Sequence, residues 1–262
     1  MKLADRLLVK ELGNALVALR KNPLLVFGAS VMDLLFLFLY AFVGTFVGDQ
    51  IAAHAVLIAN HVSPMLAKGE TGLLAKLFEG ALRPLTFKLL VLMGLFFLVL
   101  FIIYVIIQGL AWWFSAKTAG TEQKFSVYFA RFAKLNLVWL VFFVLIKLVD
   151  VLLGLRFQLI KKFVPGAFNL ATPVMTVVFA ALVLIAFLSY PRLKAKDFLH
   201  IPFLTALGLL GMCAVLFLVR WFVVENAGKV STDLALLVSI MLLPVFVLMR
   251  VYAVRVVNHV GA

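Results

Sequence analysis

The 262-residue sequence is too apolar for a water-soluble fold, because 66% of its residues are hydrophobic and 13% are charged, against roughly 45–50% and about 25% in soluble domains. Its apolar runs are long and do not alternate, which excludes a membrane β-barrel and predicts an all-α integral membrane protein. The net charge of +13 lies in short segments beside apolar runs, which indicates contact with anionic lipid headgroups and not with nucleic acid.

The chain opens with a segment of helical periodicity, residues 1–21. Its apolar side chains recur every three or four positions, while charged residues, Glu11 among them, fall mostly off that face. The residues of the apolar face are Leu3, Leu7, Leu8, Leu12, Ala15, Leu16 and Leu19. We expect an amphipathic helix that lies in the membrane interface and is retained, since the segment does not resemble a cleaved signal peptide.

Six apolar runs follow, each at least as long as the roughly 20 residues that a helix needs to cross a bilayer. The predicted spans are residues 24–47, 85–114, 135–155, 170–190, 203–224 and 234–257. Between the first two, residues 48–83 are apolar but interrupted by polar side chains, and predict an outer interfacial segment. Pro244 lies inside the sixth run and predicts a helix kink there.

The distribution of basic residues predicts the orientation. Of the 24 Lys and Arg residues, fourteen flank the spans on the side of the N-terminus and eight flank them on the opposite side, with Lys88 and Lys147 inside spans. Because positive charge concentrates on the cytoplasmic side of short loops, we predict a multi-pass protein of the cell membrane with both termini in the cytoplasm.

The junction between the first helix and the first span carries a short motif, residues 18–25, which read Ala-Leu-Arg-Lys-Asn-Pro-Leu-Leu. With the six-span layout, this junction resembles that of uncharacterised prokaryotic six-helix membrane protein families. These families are distantly similar to the membrane domain of some glycerophosphodiester phosphodiesterases. The resemblance implies a six-helix layout and no catalytic residue in the membrane part.

Three charged residues lie within predicted spans and form the candidate site: Asp33, Lys147 and Asp150. Intramembrane charges are costly and usually pair or face a polar cavity. Asp33 and Lys147 have similar estimated depths, so we expect a salt bridge between the first and third spans. Asp150 is three residues after Lys147 on the same helix face and competes for it. The cluster has three interpretations: a structural pair, an ion-coupling site, or charges near an interface.

Other features predict packing rather than chemistry. Gly44 and Gly48 form a small-xxx-small step that favours close helix packing, within the chain or with a partner. His54 and His61 stand two helical turns apart, with Asp49 and Glu70 nearby, which is not a metal motif. The single cysteine, Cys213, lies in an apolar run, where an inert buried thiol is expected. We predict no metal and no cofactor.

Three functions are compatible with these features. The first is a non-catalytic scaffold or accessory subunit of a membrane complex, with lipids and a membrane-protein partner, or further copies of the chain, as its contacts. The second is a small secondary transporter that uses the Asp/Lys cluster. The third is a lipid-modifying intramembrane enzyme, for which the sequence shows no zinc-protease, nucleophile-elbow or phosphate-loop motif.

The orientation can be tested by cysteine labelling. In a Cys213→Ala background, Lys2→Cys and Gly261→Cys place single thiols near the two ends of the chain. We expect neither thiol to react with a membrane-impermeant maleimide in intact cells, and both to react after permeabilisation. Labelling of either position from outside would reverse the predicted topology.

Overall fold

A computed structural model describes residues 2–67, 77–80, 82–163, 171–193 and 201–260, and every regular element in these ranges is helical. The helices are α1 (Lys2–Lys21), α2 (Pro23–Ala67), α3 (Leu82–Ile103), a π-helix (Tyr104–Gln108), α4 (Gly109–Thr118), α5 (Phe125–Phe163), α6 (Ala171–Ser189), α7 (Phe203–Val230), α8 (Thr232–Met241) and α9 (Pro244–Val260).

The predicted all-α membrane fold with six spans is confirmed. Six helical stretches are long and apolar enough to cross a bilayer: Pro23–Val62, Leu82–Thr118, Phe125–Asp150, Thr172–Ser189, Phe203–Val230 and Thr232–Val260. Only 11% to 28% of the most apolar part of each stretch is buried inside the protein. Most apolar side chains therefore face outward, as expected where lipid is the solvent.

The first span differs from its predicted bounds. The sequence places its end at Val47, whereas α2 runs for 45 residues to Ala67. The only proline inside α2 is Pro64, near its C-terminal end, so nothing earlier interrupts its backbone hydrogen bonds. At 1.5 Å per residue α2 is about 67 Å long, more than the roughly 40–45 Å of a whole bilayer. It includes the first part of segment 48–83, of which residues 68–76 and 81 lie outside the described ranges.

The chain forms two compact units, Met1–Met32 with Gly109–Ala262, and Asp33–Gln108. The second unit contains most of α2, together with α3 and the π-helix. In the first unit α9 is central, since it packs against α1, α4 and α7. The fully buried side chains of α9 include four β-branched or small residues and one tyrosine, namely Val247, Val251, Tyr252, Ala253 and Val256. Small side chains of this kind let helix backbones approach closely.

The helix predicted for residues 2–21 is present as α1. Its buried residues, Leu8, Glu11, Ala15 and Ala18, follow the three- and four-residue spacing of one helix face. The assignment of Glu11 to the polar face is therefore wrong. Glu11 lies in the buried stripe and is 4% exposed, because a partner on another helix satisfies its carboxylate.

The sixth span consists of α8 and α9, separated by a turn at Leu242 and Leu243. The turn lies immediately before Pro244, the residue for which the sequence predicts a kink, and a proline cannot continue the helical hydrogen-bond ladder. Arg220 of α7 contacts both pieces. Its Nη2 donates to the Ser239 hydroxyl of α8 over 2.8 Å, and its guanidinium lies 4.5 Å from the ring centroid of Phe246 in α9.

The packing of α1 on α7 predicts an asymmetric effect of two glycine substitutions. A Cβ added at Gly208 would clash with the Cδ1 atom of buried Leu8, whereas one added at Gly211 meets nothing within 4 Å. We expect Gly208→Ala to be about 1 kcal/mol less stable than Gly211→Ala, because buried Leu8 has to change its conformation. Thermal unfolding in detergent measures both, and the Gly208→Ala and Leu8→Ala double variant should lose less stability than the sum of the two single losses. Equal stability of the two glycine variants would contradict the contact.

Candidate functional site

The three charges of the predicted site occupy both units of the fold. Asp33 belongs to the Asp33–Gln108 unit, and Lys147 and Asp150 belong to the other unit. The salt bridge expected between Asp33 and Lys147 joins different units and stays a prediction.

Lys147 pairs with Asp150 on α5. The Nζ atom of Lys147 lies 3.0 Å from Oδ2 of Asp150, and the two side chains are 49% and 32% exposed. The ammonium also lies 4.4 Å from the ring centroid of Phe179 on α6, a cation–π distance. Of the two partners that the sequence offers to Lys147, the structure brings Asp150 to it. The pair is open to the surroundings of the helix.

The contacts between α5 and α6 place this pair along the two helices. At one end the Tyr190 hydroxyl, just past α6, donates to Oδ1 of Asn136 over 2.8 Å. The Lys147 contact with Phe179 lies roughly 16 Å further along both helices. Since α6 has 19 residues, it is about 28 Å long and close to the hydrocarbon thickness. The pair therefore lies beside the middle of α6 and at the end of the apolar stretch Phe125–Asp150 of α5, and the three interpretations of the cluster stay predictions.

Asp33 has a polar neighbour that the sequence analysis missed. Its side chain is 6% exposed, and its Oδ1 accepts a hydrogen bond of 3.2 Å from Nε2 of Gln108. Gln108 is the last residue of the π-helix, a wider turn that often occurs at functional sites. The signal available in the sequence was the glutamine itself, since an amide inside an apolar span needs a partner. Burial of this kind makes the Asp33–Gln108 pair a second candidate site.

A further charge cluster lies where α1 meets α9. The Glu11 carboxylate accepts from Nε of Arg255 over 3.0 Å and from the side-chain amide of Asn14 over 3.1 Å. Nδ1 of His259 is 3.8 Å away. Arg255 also donates to the carbonyl oxygen of Ala119, over 3.5 Å. The carboxylate thus links α1 to α9. The sequence feature that could have indicated this contact is the position of Glu11 between Leu8 and Ala15, at the three- and four-residue spacing of the buried face.

The remaining predicted residues lie apart from these charges. A Cβ at Gly44 or Gly48 would meet nothing within 4 Å, so their predicted close packing stays a prediction for a partner helix. His54 and His61 each bond through Nδ1 to a carbonyl four residues earlier, both over 2.8 Å. Within the described residues no three His, Cys, Asp or Glu side chains converge as metal ligands. Cys213 is buried in the core, as expected.

The Glu11–Arg255 pair predicts a double-mutant result. Glu11→Gln or Arg255→Gln alone should lower stability by about 1–3 kcal/mol, as expected for a hydrogen-bonded charge pair, with Arg255 at the lower end because it is partly exposed. The double variant should recover part of the loss, since no orphan charge is left. Lys10→Gln, an exposed neighbour on α1, is the control. Additive losses in thermal unfolding would show that the two residues do not interact.

Comparison with protein-family models, characterised proteins and solved structures found no match to this chain. The resemblance of residues 18–25 to six-helix membrane families therefore stays an expectation. The class of the protein follows from its own helices: the chain is an all-α integral membrane protein, and its described residues include six helices long and apolar enough to span a membrane.

Proposed function

We propose that the chain is a non-catalytic accessory subunit of a membrane complex, and that it binds a transmembrane helix of its partner on the face of α5 that carries Lys147 and Asp150. The observation that carries this proposal is the exposure of an ion pair beside the middle of α6, a helix long and apolar enough to span the membrane. Both members point away from the core, and their side chains are 49% and 32% exposed.

An exposed ion pair is an unusual feature at this depth. Charged residues inside membranes almost always face the protein interior or a water-filled cavity, because each costs roughly 2.5–3.5 kcal/mol at a helix centre on insertion scales. The bond between Lys147 and Asp150 offsets part of that cost, and the Phe179 ring covers one side of the ammonium. A polar side chain of a partner helix would satisfy the remaining hydrogen-bonding capacity of both groups.

The termini and α1 complete the proposed arrangement. With both termini in the cytoplasm, α1 lies at the inner interface, where its exposed Arg6, Lys10, Arg20 and Lys21 contact anionic headgroups. Its buried face is held in the first unit by Glu11 and Arg255. The helix thereby combines a fixed inner contact with a basic outer surface, which suits a subunit that stays oriented while it holds a partner.

Transport is the second candidate, and the Asp33–Gln108 pair is the observation that favours it. A buried carboxylate beside a π-helix is a suitable site for a proton or cation. Secondary transporters, however, carry broken helices at corresponding positions of two repeats. The irregularities described here lie in the second and sixth spans, which do not correspond in a three-plus-three division. The subunit proposal therefore has the stronger support.

Site-specific photo-crosslinking tests the proposed docking face. Val144 and Leu145 are both exposed on α5, but Val144 lies one turn before Lys147, whereas Leu145 lies roughly half a turn around the helix from it. A photoreactive residue at position 144 should yield one crosslinked species of defined mass from native membranes. The matched substitution at position 145 should yield far less of it.

The charge dependence of that crosslink distinguishes the alternatives. Lys147→Leu with Asp150→Leu should leave the chain folded or more stable, as removal of both members of an ion pair often does, and should abolish the crosslink at position 144. A crosslink that survives the double substitution, or that joins two copies of this chain, would contradict the subunit proposal. Proton uptake by the purified chain in proteoliposomes, lost in Asp33→Asn, would favour transport instead.

A further inference from the structure

A cleft of about 660 Å³ lies at the end of the second span, where residues 119–124 connect α4 to α5. The connection is held in place by its own backbone. The N–H of Thr121 donates to the Ala116 carbonyl over 3.0 Å, and Gly120 adopts a φ of +94°, a conformation that favours glycine. The indole N–H of Trp113 donates to the carbonyl of Gln123 over 3.3 Å. The cleft is therefore a built feature and not a gap beside a loose loop.

Two lysines give the cleft its positive charge. Lys117 and Lys124 both line it, and the Lys117 ammonium lies 4.5 Å from the ring centroid of Trp113, which restricts where that charge can point. Lys124 also stands at the start of α5, and the partial positive charge of a helix N-terminus adds to the field there. Phosphate is a ligand that a pair of lysines binds well.

The same cleft offers a hydrogen-bond acceptor. Glu122 lines it and is exposed, so its carboxylate is accessible to a ligand. A bare inorganic anion would be repelled by that carboxylate. A ligand that carries a hydrogen-bond donor next to its phosphate would match both halves of the site.

The apolar walls of the cleft indicate a lipid. Leu25 and Phe125 line it together with Trp113, and Leu24 and Phe27 next to Leu25 are 84% and 69% exposed. Because the cleft lies at the end of a span, it is at the depth of the headgroups, and these exposed side chains lead from it toward the hydrocarbon. A soluble phosphate compound has no apolar surface to bury against these side chains.

We propose that this cleft binds one phospholipid whose headgroup carries a hydrogen-bond donor, such as phosphatidylethanolamine or phosphatidylglycerol. The phosphodiester lies between the Lys117 and Lys124 ammonium groups. The ammonium or hydroxyl of the headgroup donates to Glu122, and an acyl chain follows Leu25 and Phe125. The inference does not depend on the subunit proposal, since the cleft and the Lys147–Asp150 pair share no residue.

Native mass spectrometry of the full chain, released from detergent after titration with lipids of identical acyl chains, tests this site. We expect phosphatidylethanolamine and phosphatidylglycerol to bind at least about tenfold more tightly than phosphatidylcholine, which lacks a headgroup donor. Lys117→Ala with Lys124→Ala should weaken the binding of all three lipids, because the phosphodiester contacts are common to them, and Glu122→Ala should remove the preference. Lys134→Ala, an exposed lysine on the same helix α5, should keep it, and Lys117→Arg with Lys124→Arg should keep it if charge is what matters.

Three results would overturn the inference. Equal binding of phosphatidylcholine would show that the headgroup donor is not recognised. Unchanged affinity for all three lipids in a folded Lys117→Ala and Lys124→Ala variant would place the lipid elsewhere. Displacement of the bound lipid by millimolar inorganic phosphate would make the cleft a general anion site. Failure of the α5 crosslinking experiment would affect none of these outcomes, because it reports on a different face.

Discussion

Every backbone N–H and C=O group that enters the hydrocarbon has to be paired inside the protein, since no water is present to replace a missing partner. Helices meet this requirement through their own backbone hydrogen bonds. The short polar side chains on these helices pair in the same way, with backbone carbonyls of the same helix. Ser115, Thr118 and Asn136 each donate to the carbonyl four residues earlier, over 2.8–2.9 Å. A polar contact between side chains of two different helices therefore identifies helices that pack together. The contact between Glu11 and Arg255 is the clearest example.

The apolar side chains contribute differently. Lipid tails are as apolar as leucine, so burial of apolar area between helices gains little, and packing has to come from close van der Waals contact. This accounts for the composition of α9, whose buried face is made largely of valine and alanine, and for the position of Gly208 beneath Leu8. It also accounts for the many large side chains that remain exposed around the bundle.

Run length made the helix count and the fold class predictable, because insertion of a helix depends on the summed hydropathy of about 20 residues. The end of α2 was not predictable in this way, since hydropathy is silent on how far a helix continues beyond the membrane. The candidate site was predictable as residue types only. Asp33, Lys147 and Asp150 stand out in the sequence, but whether Lys147 meets Asp150 or Asp33 depends on how helices are rotated about their axes. Gln108 and Glu11 were missed because their roles come from a π-helix and a neighbouring helix.

Arg220 gives the sixth span a mechanical property. The Arg220 guanidinium of α7 contacts the hydroxyl of Ser239 before the break and the ring of Phe246 after it, so it links α8 to α9 across the turn. The angle between α8 and α9, which lie on either side of Leu242 and Leu243, can change only if the guanidinium releases one of its two contacts. Its buried Nε–H donates no hydrogen bond within the described part of the chain, so release of either contact would leave the guanidinium with fewer partners still. These contacts favour one angle between α8 and α9. A neighbouring anion or water that solvated Arg220 would allow that angle to vary.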